Sequence, residues 1–323
     1  MAMVSHALPG DDMPNIHYEN ADGFDVCVLS AGSYTCSTIP RLGMLTTSLT
    51  WDGMELLRTR TDPRTYAEHG TTTGIPFLYP WANRIGGLAY TYHGHHVTLD
   101  PATLPISIVS PGGAIHGIHH GYLPWGEGKV SLEGECVRVQ TQLDFTNDCS
   151  AFPAFPFQHR VLQECELSPE GLLLRTTIYA VGDQEVPITF GYHPYFTLPT
   201  TPRDEWILDI PVKEEFPLED MVPCSSPLRC KSLSGQLGAR TFDNSYLMPK
   251  TPLSLQSPTL RLQLDASDMF RVLQIYAPPN SPFVCLEPMT AHPAPFSAPY
   301  MGLETALPGA SRSACLGISC SAQ

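Results

Sequence analysis

The sequence predicts an all-β protein built as a large antiparallel β-sandwich, and three observations support that fold class. Proline supplies 32 of the 323 residues, and because proline breaks helix interiors, few long helices can form. Several segments alternate apolar and polar residues with the period of two that half-buried strands show. Many short strand-like segments separated by glycine and proline turns are typical of a sandwich or barrel, not of alternating βα units.

The clearest strands are three segments in which every second residue is apolar. VRVQTQLDF, residues 137–145, places valine, leucine and phenylalanine on one face and arginine, glutamine and aspartate on the other. LRLQLD, residues 260–265, and WILDIPV, residues 206–212, repeat the alternation. Each pattern predicts a strand that buries one face in a core.

The chain shows no sharp internal boundary, so we expect a single domain over residues 15–308. The segment LAYTYHGHHVTL predicts a hairpin with its turn near His93 and Gly94. The first residues, 1–14, are expected to be flexible. The last, 309–323, are small and are expected to form a loosely held tail.

The net charge limits the partners that the protein can bind. The chain carries 18 basic and 32 acidic side chains, a formal charge of −14, and such a surface repels nucleic acid and anionic lipid. No apolar run approaches the roughly 18 residues that span a bilayer, and the opening segment lacks a signal-peptide pattern. The ten cysteines include no CxxC pair, which favours reduced thiols in a cytoplasmic protein over disulfides.

Four segments combine ionisable side chains with aromatic residues and proline. They are GIPFLYPWANRIGG with Asn83 and Arg84, AIHGIHHGYLPW with His116, His119 and His120, TFGYHPYFTLP with His193, and VCLEPMTAHPAPF with Glu287. Each has a purely structural interpretation: an arginine can stack on a neighbouring tryptophan, a histidine among aromatic residues can be a packed core residue, and a glutamate at a strand end is usually solvated. The residue patterns of the four segments, together with their order along the chain, are more informative than any one segment.

Together these segments resemble the aldose 1-epimerase (galactose mutarotase) family. GIPFLYPWANRIGG resembles its G-x-P-x-x-x-P-x-x-N-R-I segment, GYHPYF its G-x-H-x-Y-F motif and LEPMT its E-P-x-T motif. LGMLTTSLTWDGMELLR resembles its N-terminal strand pair, which ends in G-x-E-L-L. The resemblance runs from about residue 25 to about residue 305, and four motifs in the correct order make it specific. It implies a galactose mutarotase-like sandwich with a cleft on one sheet face.

The resemblance implies that His193 and Glu287 are catalytic. His193 would be the general acid that protonates the ring oxygen of a sugar, and Glu287 the general base that takes the proton of the anomeric hydroxyl. Opening a hemiacetal ring requires both transfers, and acid–base catalysis of this kind typically contributes about 10²–10⁴-fold. Histidine suits the acid role because its unperturbed pKa lies near neutrality. No metal or other cofactor is expected.

The resemblance also implies hydrogen bonds from four further residues to the substrate. They are Asn83 and Arg84 near the reacting oxygens, His116 at the ring oxygen or a neighbouring hydroxyl, and Asp243 of FDNSY at other sugar hydroxyls. The family commonly has an arginine a few residues after the His-Gly dipeptide, where this chain has HGIHHGYLPW. Either His119 or His120 fills that place, or the position has lost its role. The acidic, lysine-poor composition favours a neutral sugar as the partner.

Other interpretations stay open at this point. A non-catalytic sugar-binding or sensory module would lack the acid or the base, and a hexose-6-phosphate mutarotase would need extra basic residues for the phosphate. A lyase or another isomerase can be built on the same sandwich. Two histidine trios suggest zinc, but the first sits at the predicted hairpin tip and is expected to be solvated, and the second lacks a nearby cysteine or HExxH spacing. These trios are His93, His95 and His96, and His116, His119 and His120. A monomer or weak homodimer is the default assembly.

Overall fold

A computed structural model of the protein describes residues 13–199, 201–297 and 300–323. Two large antiparallel sheets share one core, and a smaller N-terminal sheet packs against the larger of them. The architecture confirms the predicted all-β antiparallel sandwich.

The larger sheet has nine strands whose spatial order differs from their order along the chain. In spatial order they are Lys129–Glu133, Cys136–Phe145, His159–Ser168, Gly171–Ala180, Ser311–Ala322, Leu260–Ala266, Leu253–Gln256, Ile207–Asp209 and Gly235–Gln236. In Cys136–Phe145 and Leu260–Ala266, the apolar residues predicted to face the core are all buried. Both strand predictions are therefore confirmed.

The second sheet has eight short strands. They are Leu228–Arg229, Glu214–Glu215, Phe242–Leu247, Val272–Ala277, Val284–Met289, Gly191–Tyr192 and Phe77–Leu78 in spatial order, with Tyr195–Phe196 also paired to Val284–Met289. Tyr192 joins this sheet to the larger one, because its hydroxyl lies 2.9 Å from Gln163 Oε1 and 2.7 Å from Thr176 Oγ1. These buried hydrogen bonds fix how the two sheets face each other.

The remaining strands of the described residues form the N-terminal sheet and four strand pairs. The sheet contains Asn15–Ala21, Phe24–Ala31, Tyr34–Ile39, Leu45–Trp51 and Met54–Glu55. The pairs are Ala89–Tyr92 with His95–Thr98, Ile106–Val109 with Gly113–Ile118, Val186–Pro187 with Thr305–Ala306, and Leu218–Glu219 with Val222–Pro223. The first of these pairs is the hairpin predicted around His93 and Gly94, and both turn residues have positive φ angles.

Within the described ranges, Pro63–His69 is the only α-helix. The Asp62 carboxylate caps it by accepting the Thr65 amide at 2.8 Å, and Gly70 ends it in the left-handed conformation, as helix termini require. Four short 3₁₀ turns are also present, at Pro40–Leu42, His120–Tyr122, Phe152–Ala154 and Arg203–Glu205. In this part of the chain no helix is both long and apolar enough to cross a bilayer.

The prediction of a loosely held tail over residues 309–323 is wrong. Ser311–Ala322 lies inside the nine-stranded sheet, between Gly171–Ala180 and Leu260–Ala266. Its buried positions are alanine, leucine and isoleucine, and they alternate mainly with serine, glycine and cysteine. The contrast between apolar and polar residues is therefore weak, although the strand is paired along both of its edges. At the other end, residues 1–12 of the segment predicted to be flexible lie outside the described residues, and the first strand begins at Asn15.

His120 gives the fold a dependence on pH. Its ring stacks between Tyr66 and Trp125, its Nε2 donates to the Phe77 carbonyl at 2.8 Å, and its Nδ1 accepts the Trp125 indole N–H at 3.0 Å. This arrangement fits only a neutral ring, and burial lowers the pKa of His120 to about 4. An unfolded histidine has a pKa of about 6.5. Between those values the unfolded chain binds a proton that the native state excludes, so stability falls as pH falls.

We therefore expect the His120→Gln variant to lose less stability on acidification than the unsubstituted protein. Between pH 7.5 and pH 5.0 the difference in the free energy of unfolding should be about 2 kcal/mol smaller in the variant. Urea unfolding at the two pH values measures this difference. His96→Gln, which changes an exposed ring on the hairpin, should behave like the unsubstituted protein. Equal pH dependence in all three proteins would contradict the prediction.

Candidate active site

The strand register of the eight-stranded sheet places His193 opposite Glu287. Gly191–Tyr192 and Tyr195–Phe196 both pair with Val284–Met289 in one continuous antiparallel register. Opposite residues of such a pair point to the same face. His193 Nε2 accordingly lies 3.2 Å from Glu287 Oε1, and both side chains are buried. Two residues 94 positions apart in the sequence thus become direct neighbours.

The next two strands extend this polar surface. Gln274 lies opposite Glu287, and Asp243 lies opposite Tyr276. The Gln274 amide donates to Asp243 Oδ1 at 2.8 Å, while Ser245 Oγ donates to Gln274 Oε1 at 2.5 Å. Because Ser245 orients Gln274 and Gln274 orients Asp243, the aspartate is held on the same face as the His193–Glu287 pair.

A loop and a bulged strand form the opposite wall. Asn83 and His116 both adopt positive φ angles, 56° and 60°, and the Asn83 carbonyl accepts the His116 amide at 3.0 Å. Asn83 Oδ1 accepts the Arg84 amide at 2.7 Å, and Arg84 Nε donates to the Pro111 carbonyl at 3.2 Å. Gly112 leaves room for the Arg84 side chain, since a Cβ at this position would lie 2.4 Å from Arg84 Cδ.

These walls enclose a cavity of about 270 Å³. All six residues predicted for the site line it, namely Asn83, Arg84, His116, His193, Asp243 and Glu287. Six residues that the sequence did not single out for the site complete the lining, namely Arg60, Thr72, Ile115, Tyr195, Gln274 and Tyr276. The cavity is small for a ligand site, since pockets for drug-sized molecules span roughly 300–1,000 Å³.

A family model described as aldose 1-epimerase matches residues 25–314. The chain belongs to the aldose 1-epimerase family. The match confirms the resemblance found in the four motifs and covers the whole set of cavity residues.

The fold of this aldose 1-epimerase family member is similar to the folds of solved structures. A galactose mutarotase-like protein from Clostridium acetobutylicum superposes with a TM-score of 0.85 at 17% identity, covering 97% of this chain and 100% of that one. A galactose 1-epimerase from Lactobacillus acidophilus NCFM superposes with a TM-score of 0.74 at 15% identity, covering 96% and 98%. At these identities the likeness establishes the shared fold.

A curated relative comes from Escherichia coli (strain K12). It is the uncharacterized protein YihR, which is 26% identical over 193 residues, or 59% of this chain. The chain spans 56% of the length of that relative.

Tyr195 fixes the orientation of the His193 ring in this aldose 1-epimerase homologue. The two rings stack with centroids 4.5 Å apart and an interplanar angle of 11°. The Tyr195 hydroxyl lies 2.6 Å from Thr72 Oγ1 and accepts a hydrogen bond from Arg60 Nη1 at 2.7 Å. Tyr195 follows His193 by two residues in a strand-like motif, which is a signal for a shared face. Arg60 and Thr72 lie in irregular backbone, where the sequence carries no comparable signal.

Burial dominates the electrostatics of the site. It raises the pKa of Glu287 well above its usual value, with a further rise from Asp243 that Arg84 opposes. Burial, followed by the neighbouring His116, lowers the pKa of His193 well below its usual value. Burial and Arg84 lower the pKa of His116 to about 3. With only protein groups around them, burial therefore favours the neutral forms of the Glu287 carboxyl and of both imidazoles.

Three polar atoms of the cavity residues are buried without a hydrogen-bond partner in the described part of the chain. They are His116 Nδ1, His193 Nδ1 and Glu287 Oε2. Nearly all buried polar atoms in proteins have a partner. These atoms therefore lack the partner that buried polar atoms normally have.

Neither His119 nor His120 lines the cavity. His120 belongs to the core, as described above, while His119 contacts the Glu68 carbonyl and Ser107 Oγ, each at 3.0 Å. Of the two alternatives for the arginine common in the family, the structure therefore favours a position without a role in the site. The three hairpin histidines each contact a different side chain. His93 pairs with Glu185, His95 with Gln184 and His96 with Thr91.

Proposed function

We propose that the protein interconverts the α and β anomers of a free aldose by acid–base opening and closure of the sugar ring. The observation that carries this proposal is the 3.2 Å approach of His193 Nε2 to Glu287 Oε1 on the cavity wall. Both groups can lie within hydrogen-bond reach of one sugar, as proton transfer requires. Membership of the aldose 1-epimerase family supports the reaction class.

In the proposed reaction, Glu287 as carboxylate takes the proton of the anomeric hydroxyl while His193 as imidazolium delivers a proton to the ring oxygen. The bond between the anomeric carbon and the ring oxygen breaks, and a carbonyl forms at the anomeric carbon. Rotation about the bond from that carbon to the next one presents its other face. The ring then closes as the two protons return, so the enzyme ends with the proton count it began with.

The ionised pair that this reaction needs contains the same number of protons as the neutral pair favoured by burial. Moving one proton from Glu287 Oε1 to His193 Nε2, across 3.2 Å, converts the neutral pair into the ionised one. Sugar hydroxyls that hydrogen-bond to the unpaired Glu287 Oε2 and His193 Nδ1 would stabilise the charges, because hydrogen bonds to an ionised group favour its charged form. Substrate binding would thus prepare the pair for catalysis.

The remaining predicted residues are proposed to hold the sugar. Asp243, oriented by Gln274, can accept hydrogen bonds from sugar hydroxyls, and Arg84 with Asn83 can donate to oxygens near the anomeric carbon. The neutral His116 ring lies edge-on to His193, with centroids 5.4 Å apart. Its unpaired Nδ1 can therefore serve the ring oxygen or a neighbouring hydroxyl.

A neutral monosaccharide fits the charges of the cavity. Arg60 donates to Tyr195 and to the Thr72 carbonyl and lies over the Tyr195 and Phe283 rings. Its guanidinium is therefore already engaged by the cavity wall, and Arg84 lies beside the acidic Asp243 and Glu287. We accordingly propose a neutral sugar in preference to a hexose 6-phosphate.

Polarimetry on freshly dissolved α-D-glucose and α-D-galactose tests the function, with glucose 6-phosphate as the charged comparison. We expect faster relaxation of the optical rotation for at least one neutral sugar and a smaller effect on the phosphate. Saturable sugar binding without faster relaxation would instead indicate a sugar-binding or sensory module. A product altered beyond the anomeric carbon would indicate a lyase or another isomerase.

We further propose a cytoplasmic location and a monomeric or weakly dimeric state. All ten cysteines are unpaired, which supports a reducing compartment because disulfides are rare in the cytosol. Gel filtration with light scattering tests the assembly state.

A further inference from the structure

We propose that His193, Glu287 and Cys285 form a reversible inhibitory site for a soft divalent cation such as Zn²⁺ or Cd²⁺. One ligand atom from each of the three residues lies within 4.8 Å of the other two, and all three side chains are buried. Nitrogen, sulfur and oxygen donors in this combination are those that zinc accepts in proteins.

The separations suit a four-coordinate cation. Zinc bonds of about 2.0–2.2 Å to nitrogen and oxygen and about 2.3 Å to sulfur place tetrahedral ligand atoms about 3.3–3.6 Å apart. His193 Nε2 and Glu287 Oε1 are already 3.2 Å apart. Since the remaining separations in the group are no greater than 4.8 Å, an approach of Cys285 by up to about 1.5 Å completes the set.

The strand register explains why the thiol reaches the catalytic pair. Cys285 precedes Glu287 by two residues in Val284–Met289, so both side chains lie on the same face of the strand. Cys285 is also the cross-strand partner of Tyr195, the residue that stacks on His193. Cys285 is completely buried and is not part of the cavity lining. Its thiol is therefore a ligand that the cavity lining itself does not supply.

Two atoms of the pair that the cation would not bridge bear on how tightly it binds. Glu287 Oε2 and His193 Nδ1 have no hydrogen-bond partner among the described residues, although Glu287 is only 1% exposed. A cation would engage the carboxylate strongly. A histidine that binds a metal usually donates its other N–H to a second group, and loss of that group costs about 10–100-fold in affinity. The unpaired Nδ1 therefore predicts weak, reversible binding, as expected of an inhibitory site.

Coordination would stop proton transfer by the pair. The cation would occupy the imidazole nitrogen and the carboxylate oxygen through which His193 and Glu287 exchange a proton with each other, and the thiol proton of Cys285 and the proton of the pair would pass to the buffer. This inhibitory consequence rests on the proposed function, whereas cation binding itself does not. The two ideas can thus fail separately.

Titration of the full-length, metal-free protein with CdCl₂ tests the site. We expect a thiolate-to-cadmium charge-transfer absorption band that saturates at one cation per chain and is lost in Cys285→Ser. The matched control is Cys224→Ser, which removes an exposed thiol and should keep the band. Calorimetry should show at least tenfold weaker Cd²⁺ binding for Cys285→Ser.

Polarimetry tests the inhibition. Zn²⁺ alone should inhibit mutarotation by the unsubstituted protein, and a chelator should restore the rate. Cys285→Ser should be at least tenfold less sensitive to Zn²⁺.

Glu287→Gln keeps the test decisive if Cys285→Ser fails to fold. This variant removes a charged ligand with little change of shape, so it should also bind Cd²⁺ at least tenfold more weakly while retaining the native circular dichroism spectrum. An unchanged band in either variant, a band lost with Cys224 alone, or no saturable band in the unsubstituted protein would overturn the proposal. Cadmium binding in a protein that accelerates no mutarotation would uphold the site and refute the proposed function instead.

Discussion

Replacing Glu287 with glutamine is expected to slow catalysed mutarotation by about 10²–10⁴-fold, the usual contribution of a general acid or base. The amide nearly matches the shape of the carboxyl group but cannot take up the anomeric proton. Initial rates of optical rotation change, measured at saturating sugar with the spontaneous rate subtracted, give the size of the loss. Sugar affinity should change much less than the rate, because the cavity keeps its other hydrogen-bonding groups.

His193→Gln should produce a loss of similar size, since the acid and the base act on one substrate in the same step. Groups that act as a unit are strongly non-additive, so the double variant should be little slower than either single one. Glu219→Gln is the matched control for Glu287→Gln, because it also replaces a glutamate with glutamine, but at an exposed position outside the cavity. Undiminished rates in the Glu287 or His193 variant would refute the roles assigned to these residues.

Gly117→Ala is expected to lower the free energy of unfolding by about 2–5 kcal/mol. Gly117 has a φ of +79°, and an added Cβ would lie 1.9 Å from the Tyr79 carbonyl oxygen. The left-handed conformation costs a residue with a Cβ roughly 1–2 kcal/mol, and overpacking adds about 1–3 kcal/mol. Because Gly117 follows His116 and its strand forms a bridge with Tyr79, the shift needed to relieve the contact would also displace the cavity wall.

Gly94→Ala separates the two contributions. Gly94 has a similar φ, +82°, but a Cβ added there would have no atom within 4 Å, so only the conformational cost of roughly 1–2 kcal/mol applies. Urea unfolding of both variants gives the comparison, and sugar binding by the Gly117 variant should weaken together with its stability. Equal losses of stability in the two variants would show that the close contact at Gly117 carries no cost.

The sequence predicted those parts of the fold and site that depend on strong local patterns. The alternation in residues 137–145 and 260–265 is carried by large apolar residues, and both segments are buried strands. The six predicted site residues share one cavity, and all six were found through the resemblance of their segments to the aldose 1-epimerase family. Their roles in catalysis and binding remain predictions.

Other features depend on contacts that the local sequence does not record. The small residues of Ser311–Ala322 gave a weak apolar pattern, and only pairing on both edges shows that the strand is central. Gln274 could have been noticed as a polar residue within the apolar run RVLQIYA. Arg60 and Thr72 could not, since they lie in irregular backbone and only the fold brings them to the cavity wall, where both hydrogen-bond to Tyr195.

The central position of Ser311–Ala322 has a consequence for biosynthesis. During translation its two neighbours, Gly171–Ala180 and Leu260–Ala266, leave the ribosome first, and each must wait with one unpaired edge until the strand between them arrives. Such edges pair readily with other chains, and partly folded chains of this size are prone to aggregate. Slow translation or early termination before residue 311 would therefore leave the sandwich open along the middle of its larger sheet, and a chaperone that shields strand edges would have the most effect in that interval.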